Sequence, residues 1–176
     1  MKAGVLRSLS AFAADADRVV AAERRRGARR PRLSAALDAS VWALGLLRGS
    51  AALRAAVGSS LGLSSLLRLA FHIDVWTDDI GPGLRLPHPF GIVIGDGVTI
   101  GSGCTLLHDV TLQNGATEIG DGAVLANGVT VLAGADVGAG ALVGSHSVVR
   151  GAIAPRTVAV GAPARAVRPV RAGESS

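Results

Sequence analysis

The chain has 176 residues, of which 49% are hydrophobic and only 3% are aromatic, and it carries a formal net charge of +5. This length fits one domain with a smaller attached element, and the single cysteine excludes a disulfide within the chain. Because Arg48, Arg54 and Arg68 interrupt the most hydrophobic part of the sequence, we expect no membrane span.

The first part of the chain is rich in alanine, leucine and arginine and lacks any regular repeat. The spacing of its apolar residues predicts helices near residues 9–27, 33–48 and 50–70. Pro31 and Gly49 are the expected breaks between these helices. We expect the helices to cover the open end of the element that follows, since an uncovered end would expose unpaired strand edges.

Arginine residues cluster over residues 24–32, which raises the question of nucleic-acid binding. No aromatic residue lies between these arginines, so the cluster lacks the rings on which bases would stack. The sequence therefore predicts a solvated helix end and no nucleic-acid partner. The expected location of the protein is the cytoplasm.

From residue 80 onward an aliphatic residue, here called an anchor, recurs about every six residues. The anchors are Ile80, Leu86, Ile94, Ile100, Leu106, Leu112, Ile119, Leu125, Val131, Val137, Val143 and Val149. Glycine follows many anchors by one or three positions, and glycine costs about 1 kcal/mol in a helix interior. The pattern therefore predicts short strands joined by tight turns. Repetition of so short a unit is typical of a solenoid, here a triangular prism of about four coils.

Two extra residues interrupt the repeat around His88. Counted from the preceding anchor, His88 has the same place in the repeat as His108, Asn127 and Ser145. In a three-sided coil these positions form one polar column, with layers about 4.8 Å apart. An interruption of a regular repeat at one place indicates a functional site there.

His88 is the candidate general base of this site. It lies between Pro87 and Pro89, which restrict the backbone that presents the imidazole. A histidine titrates near neutral pH and can take a proton from a hydroxyl group. The other ring nitrogen needs an acceptor, for which Asp74 is our candidate and Asp78 and Asp79 are the competitors.

Four segments carry a resemblance to a known family. Residues 80–95 resemble the active-site segment of serine O-acetyltransferases, and residues 106–112 resemble the segment one coil later. Residues 147–149 and 160–165 resemble the end of the solenoid and the loop beyond it. The chain is identified as a serine O-acetyltransferase-like member of the hexapeptide-repeat acyltransferases.

This resemblance implies a mainly β fold, a left-handed parallel β-helix preceded by a small helical region. The expected organisation is an α-helical region (1–70), the β-helix (71–168) and a flexible tail (169–176). The family also implies a homotrimer, alone or as a dimer of trimers, with active sites in the clefts between neighbouring prisms.

The family further implies acetyl-CoA as the acyl donor and no metal. His88 would deprotonate the acceptor hydroxyl, with Asp74 as the partner of its ring. Pro87, which stands where the family has an aspartate, is expected at the acceptor. From its place one coil from His88, His108 is expected to contact the acceptor or to lie beside the thioester, with a lateral contact in the trimer as the alternative. The positions expected to contact CoA are Ala126, Asn127, Gly144 and Ser145, together with Arg165 near the nucleotide phosphates.

Three departures from the family concern the acceptor. Pro87 replaces an aspartate, the loop over 112–118 lacks an Arg-His pair that grips the serine carboxylate, and residues 26–29 lack an acidic residue. We therefore predict an O-acetyltransferase whose small acceptor is serine-like, a sugar or a natural-product intermediate. A true serine O-acetyltransferase of cysteine biosynthesis is the alternative. A non-catalytic β-helix scaffold and a metal-dependent, carbonic-anhydrase-like enzyme are the two further classes.

Overall fold

Helices form the first part of the computed structural model, which describes residues 2–174. They are α1 (Lys2–Arg25), α2 (Pro31–Ala36), α3 (Ala39–Val57) and α4 (Leu63–Phe71). The first helix therefore begins well before the predicted residue 9. Within the described range, no helix combines the length and the apolar character needed to cross a membrane.

The helix breaks differ in part from those that the sequence predicted. The predicted break at Gly49 is wrong, because this residue lies inside α3. A Cβ on Gly49 would lie 3.2 Å from Leu63 Cδ1, so the missing side chain allows α4 to approach α3. The predicted helix over 33–48 is instead divided at Asp38, whose side chain accepts a hydrogen bond of 2.7 Å from the Ser40 amide and caps α3.

The second part of the chain is a solenoid of short strands. In chain order these are β1 (Asp74–Val75), β2 (Val93–Ile94), β3 (Val98–Ile100), β4 (Thr105–Leu106), β5 (Thr111–Leu112), β6 (Thr117–Ile119), β7 (Val124–Leu125), β8 (Thr130–Val131), β9 (Leu142–Val143), β10 (Val148–Val149), β11 (Thr157–Gly161) and β12 (Ala164–Pro169). Face A stacks β1, β2, β5, β8 and β10, face B contains β3 and β6, and face C stacks β4, β7, β9 and β11. Within each face these strands are parallel, and β12 pairs antiparallel with β11.

The anchors form the core of the solenoid. From Ile94 to Val149, each anchor is no more than 1% exposed. Face A carries five stacked strands, so the solenoid has about five coils rather than the predicted four. The additional coil arises because β1 on face A and β11 on face C extend the solenoid beyond the regular hexapeptides. The prediction of a left-handed parallel β-helix behind a helical region is confirmed.

A buried ion pair joins α1 and α3 to the first coil. Asp15 is fully buried, and Arg48 Nε donates to its Oδ2 at 2.8 Å. The same guanidinium donates to the carbonyl oxygens of Ile80 and Gly81 at 2.7 and 2.6 Å. Asp15 Oδ1 accepts a hydrogen bond of 2.8 Å from the Leu84 amide. The helices therefore cover the first coil and satisfy its backbone groups, as an end cap requires.

Arg18 of α1 makes a second connection to the solenoid. Its Nη1 donates to the carbonyl oxygens of Gly83 and Gly103 at 2.7 Å each, and to that of Cys104 at 3.0 Å. Burial lowers the pKa of Arg18 from its ordinary value. Because Gly83 lies on the first coil and Gly103 on the second, Arg18 holds together the two coils between which His88 is presented.

The predicted flexible tail, residues 169–176, lies partly outside the described residues. Within the described part, Glu174 Oε2 accepts hydrogen bonds from Arg168 Nη1 at 2.7 Å and from the Arg171 amide at 2.8 Å. The hydrogen bond from Arg168 lowers the pKa of Glu174 to about 2. The limits of the three predicted regions stay a prediction.

We predict that Asp15→Ala lowers the free energy of unfolding by about 3–5 kcal/mol, because Arg48 would be left as a buried charge without its partner. Urea denaturation followed by circular dichroism measures this change. Asp17→Ala is the matched control, because Asp17 is an exposed carboxylate on the same helix, and its effect should stay within about 0.5 kcal/mol. Equal losses in the two variants would contradict the role given to the ion pair.

Candidate active site

The extra residues of the repeat lie at the edge where face C passes into face A. The four side chains predicted to share a column, which we call the site column, are His88, His108, Asn127 and Ser145. All four are at least partly exposed to solvent. They are therefore open to a ligand along this edge.

At the base of the site column, the backbone hydrogen bonds and the side-chain contacts bring different residues to His108. The Asp109 amide donates to the Phe90 carbonyl at 2.9 Å, and the Gly128 amide donates to the His108 carbonyl at 3.0 Å. The backbone place below His108 is therefore taken by Phe90, because the insertion displaces the chain. The His88 ring nevertheless contacts the His108 ring edge to face, with ring centroids 6.1 Å apart and planes at 70°.

The upper part of the site column brings together the four positions predicted to contact CoA. Ser145 Oγ donates to Asn127 Oδ1 at 2.6 Å, and Asn127 Nδ2 lies 3.4 Å from Nε2 of His146. The amides of Ala126 and Gly144 donate to carbonyl oxygens of the next coil at 2.9 Å each. These two amides are therefore already used by the fold.

Three other amides of the site column have no such partner. The N–H groups of His108, Asn127 and Ser145 donate to no group within residues 2–174. On the other edges, the corresponding amides of Asp96 and Ser102 donate to side chains of the next coil at 3.0 and 2.6 Å. Within residues 2–174, however, the same repeat position has an amide without a partner on those edges too, at Asn114, Asp121, Ala133 and Ala139. The site column thus presents donors that a carbonyl oxygen or a developing negative charge can use.

The structure does not bring Asp74 to His88. Arg68 Nη2 donates to Asp74 Oδ1 at 2.9 Å, with both side chains partly exposed. The two competitors are also occupied, because Asp78 pairs with an arginine of α3 and Asp79 accepts from a threonine hydroxyl of the next coil at 3.0 Å. Across residues 2–174, no carboxylate lies within hydrogen-bonding distance of the His88 ring. The role of Asp74 stays a prediction.

Pro87 lies beside the C-terminal end of α1. Together with Glu23, Arg26, Asp38 and Arg85, it lines a small cavity between the helices and the first coil. Burial lowers the pKa of Arg85, and the neighbouring arginines of α1 lower it further. The cavity beside Pro87 is therefore lined by two carboxylates, Glu23 and Asp38, as well as by two arginines.

Arg165 belongs to β12, where it pairs with Val160 of β11. It borders an open groove of about 400 Å³ that Arg150 and Pro163 also line, at the last coil of the solenoid. Two guanidinium groups beside one groove suit an anionic group such as a phosphate. The expected contact of Arg165 with nucleotide phosphates stays a prediction.

One polar pair in the site was not singled out from the sequence. Asp109 Oδ2 lies 2.9 Å from His108 Nδ1. The signal was present, because Asp109 occupies a turn position at which the neighbouring coils have Gly91 and Gly128. Within residues 2–174, no group of three or more histidine, cysteine or carboxylate side chains is arranged to hold a metal ion.

Solved structures of serine acetyltransferases share this fold. The enzyme of Neisseria gonorrhoeae is 24% identical with a TM-score of 0.82, over 97% of this chain and 70% of that one. Soybean serine acetyltransferase complexed with serine is 31% identical with a TM-score of 0.77, over 92% of this chain and 70% of that one. A serine acetyltransferase in complex with CoA is 28% identical with a TM-score of 0.67, over 72% of this chain and 56% of that one. No family model matches the sequence, and no curated protein does either.

Proposed function

The chain belongs to the serine acetyltransferase family of hexapeptide-repeat proteins, and from this premise we propose that His88 is the general base in acetyl transfer to a small acceptor. The family makes the chain an acyltransferase that uses acetyl-CoA. The observation that carries the proposal is the base of the site column, where the exposed imidazole of His88 contacts the ring of His108.

The reaction needs one proton carrier and one donor for negative charge. His88 takes the proton of the acceptor hydroxyl, whose oxygen bonds to the acetyl carbonyl carbon as the carbon–sulfur bond breaks. His88 then returns the proton to the departing thiolate, so the products are an acetyl ester and free CoA. The unpaired amide of His108, whose ring contacts that of His88, is our candidate donor to the carbonyl oxygen as it becomes negative.

Small side chains along the column support binding of the donor. CoA bound there would lie with its pantetheine arm against Ala126 and Gly144, which leave the backbone accessible. The unpaired amides of Asn127 and Ser145 would donate to the amide oxygens of that arm. Arg165, on the last coil, would meet the nucleotide phosphates.

The acceptor that we propose is a small hydroxyl compound such as a sugar or a natural-product intermediate. Pro87 supplies no charge for an ammonium group, and the loop over 112–118 has no cation for a carboxylate. Each missing charged hydrogen bond costs about 1.5–3 kcal/mol of binding. Free serine is the second candidate, because the 31% identical soybean relative was complexed with serine. A screen of hydroxyl acceptors that reads release of the CoA thiol distinguishes the two.

We predict that His88→Asn lowers kcat/KM for acetyl transfer roughly 10²–10⁴-fold, because the base is lost, while CoA affinity stays similar. Steady-state kinetics and calorimetry measure the two quantities. His72→Asn is the control, because His72 is an exposed histidine on the same edge near the first coil, and it should leave the rate unchanged. Wild-type activity in His88→Asn would overturn the assignment.

We further propose a homotrimer, alone or paired as a dimer of trimers, with each site in a cleft between two prisms. Light scattering should then give a mass of about three or six times the 17.6 kDa of one chain. A fully active species with the mass of one chain would refute the shared cleft. A cytoplasmic location and the lack of a nucleic-acid partner stay predictions from the sequence.

A further inference from the structure

His108 and Asp109 form a hydrogen-bonded pair at the base of the site column. Asp109 Oδ2 lies 2.9 Å from His108 Nδ1. An ionised carboxylate only accepts hydrogen bonds, so the proton of this pair lies on Nδ1. In a neutral imidazole, the second nitrogen, Nε2, then has a free lone pair and accepts hydrogen bonds.

The backbone of Asp109 has a conformation that residues with a side chain rarely adopt. Its φ is +59, whereas Gly91 and Gly128 hold the equivalent places in the adjacent coils with φ of +68 each. The next coil on this edge has His146 at the same place with φ of +56. Aspartate and histidine adopt this conformation more readily than most residues with a side chain, so the hydrogen bond to His108, rather than the backbone conformation, indicates a role for Asp109.

The space around the Asp109 carboxylate depends on a neighbouring glycine. A Cβ on Gly91 would lie 2.1 Å from Asp109 Oδ1, so the missing side chain leaves the volume that this oxygen occupies. The other oxygen, Oδ2, faces His108. The side chains of His108 and Asp109 are 40% and 66% exposed, and the His108 ring contacts the ring of His88. The pair is thus open to a ligand beside the proposed base.

We propose that Asp109 is a positioning residue that holds His108 in the Nδ1–H tautomer, so that Nε2 of His108 accepts a hydrogen bond from the acceptor molecule. This inference rests on the proposed acetyl transfer. Because the rings of His88 and His108 are in contact, one small acceptor can reach both of them. The acceptor that we propose therefore carries a second hydroxyl or an amino group near the reacting hydroxyl.

The first test measures the tautomer of His108. Nitrogen-15 chemical shifts of the ring distinguish Nδ1–H from Nε2–H, and the chain has only four histidines to assign. We expect Nδ1–H in the wild-type protein and a shift towards Nε2–H in Asp109→Gly and in Asp109→Asn. In the asparagine variant, the amide can donate to Nδ1 and so favours the other tautomer. An unchanged tautomer in both variants would overturn the inference.

The second test separates positioning from stability. Glycine adopts positive φ freely, so Asp109→Gly should have a melting temperature equal to or above that of the wild type. We expect its KM for the acceptor to rise roughly 10–100-fold, as loss of an oriented hydrogen bond predicts, with KM for acetyl-CoA unchanged. A monool related to the best acceptor, without the second donor group, should bind the wild-type enzyme more weakly than that acceptor does. Its KM should differ little between the wild type and Asp109→Gly.

Arg156→Gly is the matched control for the second test. Arg156 is exposed, has φ of +52 and lies on the edge between faces B and C, away from the histidine pair. This variant should gain similar stability with both KM values unchanged. An unchanged acceptor KM in Asp109→Gly, or the same rise in Arg156→Gly, would refute the role of Asp109. If the wild-type protein acetylates no acceptor, the proposed function fails, and the tautomer in the free protein still decides whether Asp109 positions His108.

Discussion

Hydrogen bonds between successive coils determine which residues share an edge of the solenoid, and the candidate site depends on this register. Amides of Asp109, Gly128 and His146 donate to carbonyl oxygens one coil below at 2.9–3.0 Å. Because the anchors point inward at each layer, a slip of one residue would turn the core outward, so packing enforces the register. Side chains far apart in sequence therefore stand in one column, and amides left over at the edge are available to a ligand.

The helical region stabilises the end of the solenoid at which His88 is presented. The Asp15–Arg48 pair takes two charges out of water, which is favourable only because each charge also binds backbone groups of the first coil. Arg18 joins the first coil to the second. The loop that carries His88 lies between these coils, so the geometry of the base depends on charged residues that never contact the acceptor.

The solenoid could be predicted from the sequence because a six-residue period with glycine turns admits few other folds. The column above the insertion could be predicted for the same reason. Below it, the two inserted residues leave open whether His88 or Phe90 takes the place under His108. The backbone hydrogen bonds put Phe90 there, and only packing decides that the ring of His88 contacts the ring of His108. Asp74 was chosen by its place in the chain, yet Arg68 of α4 reaches its carboxylate, a competition that spacing does not reveal. Asp109 was missed although it stands where the adjacent coils have Gly91 and Gly128, because the sequence does not reveal that its carboxylate reaches His108.

A crystal structure of the protein with CoA bound tests most directly whether the site column holds the acyl donor. We expect the pantetheine arm to follow the edge between faces C and A, with its amide oxygens on the amides of Asn127 and Ser145. The thiol should then lie beside His88 at the base of the column. CoA bound along a different edge, or a thiol remote from His88 in an intact assembly, would contradict the mechanism.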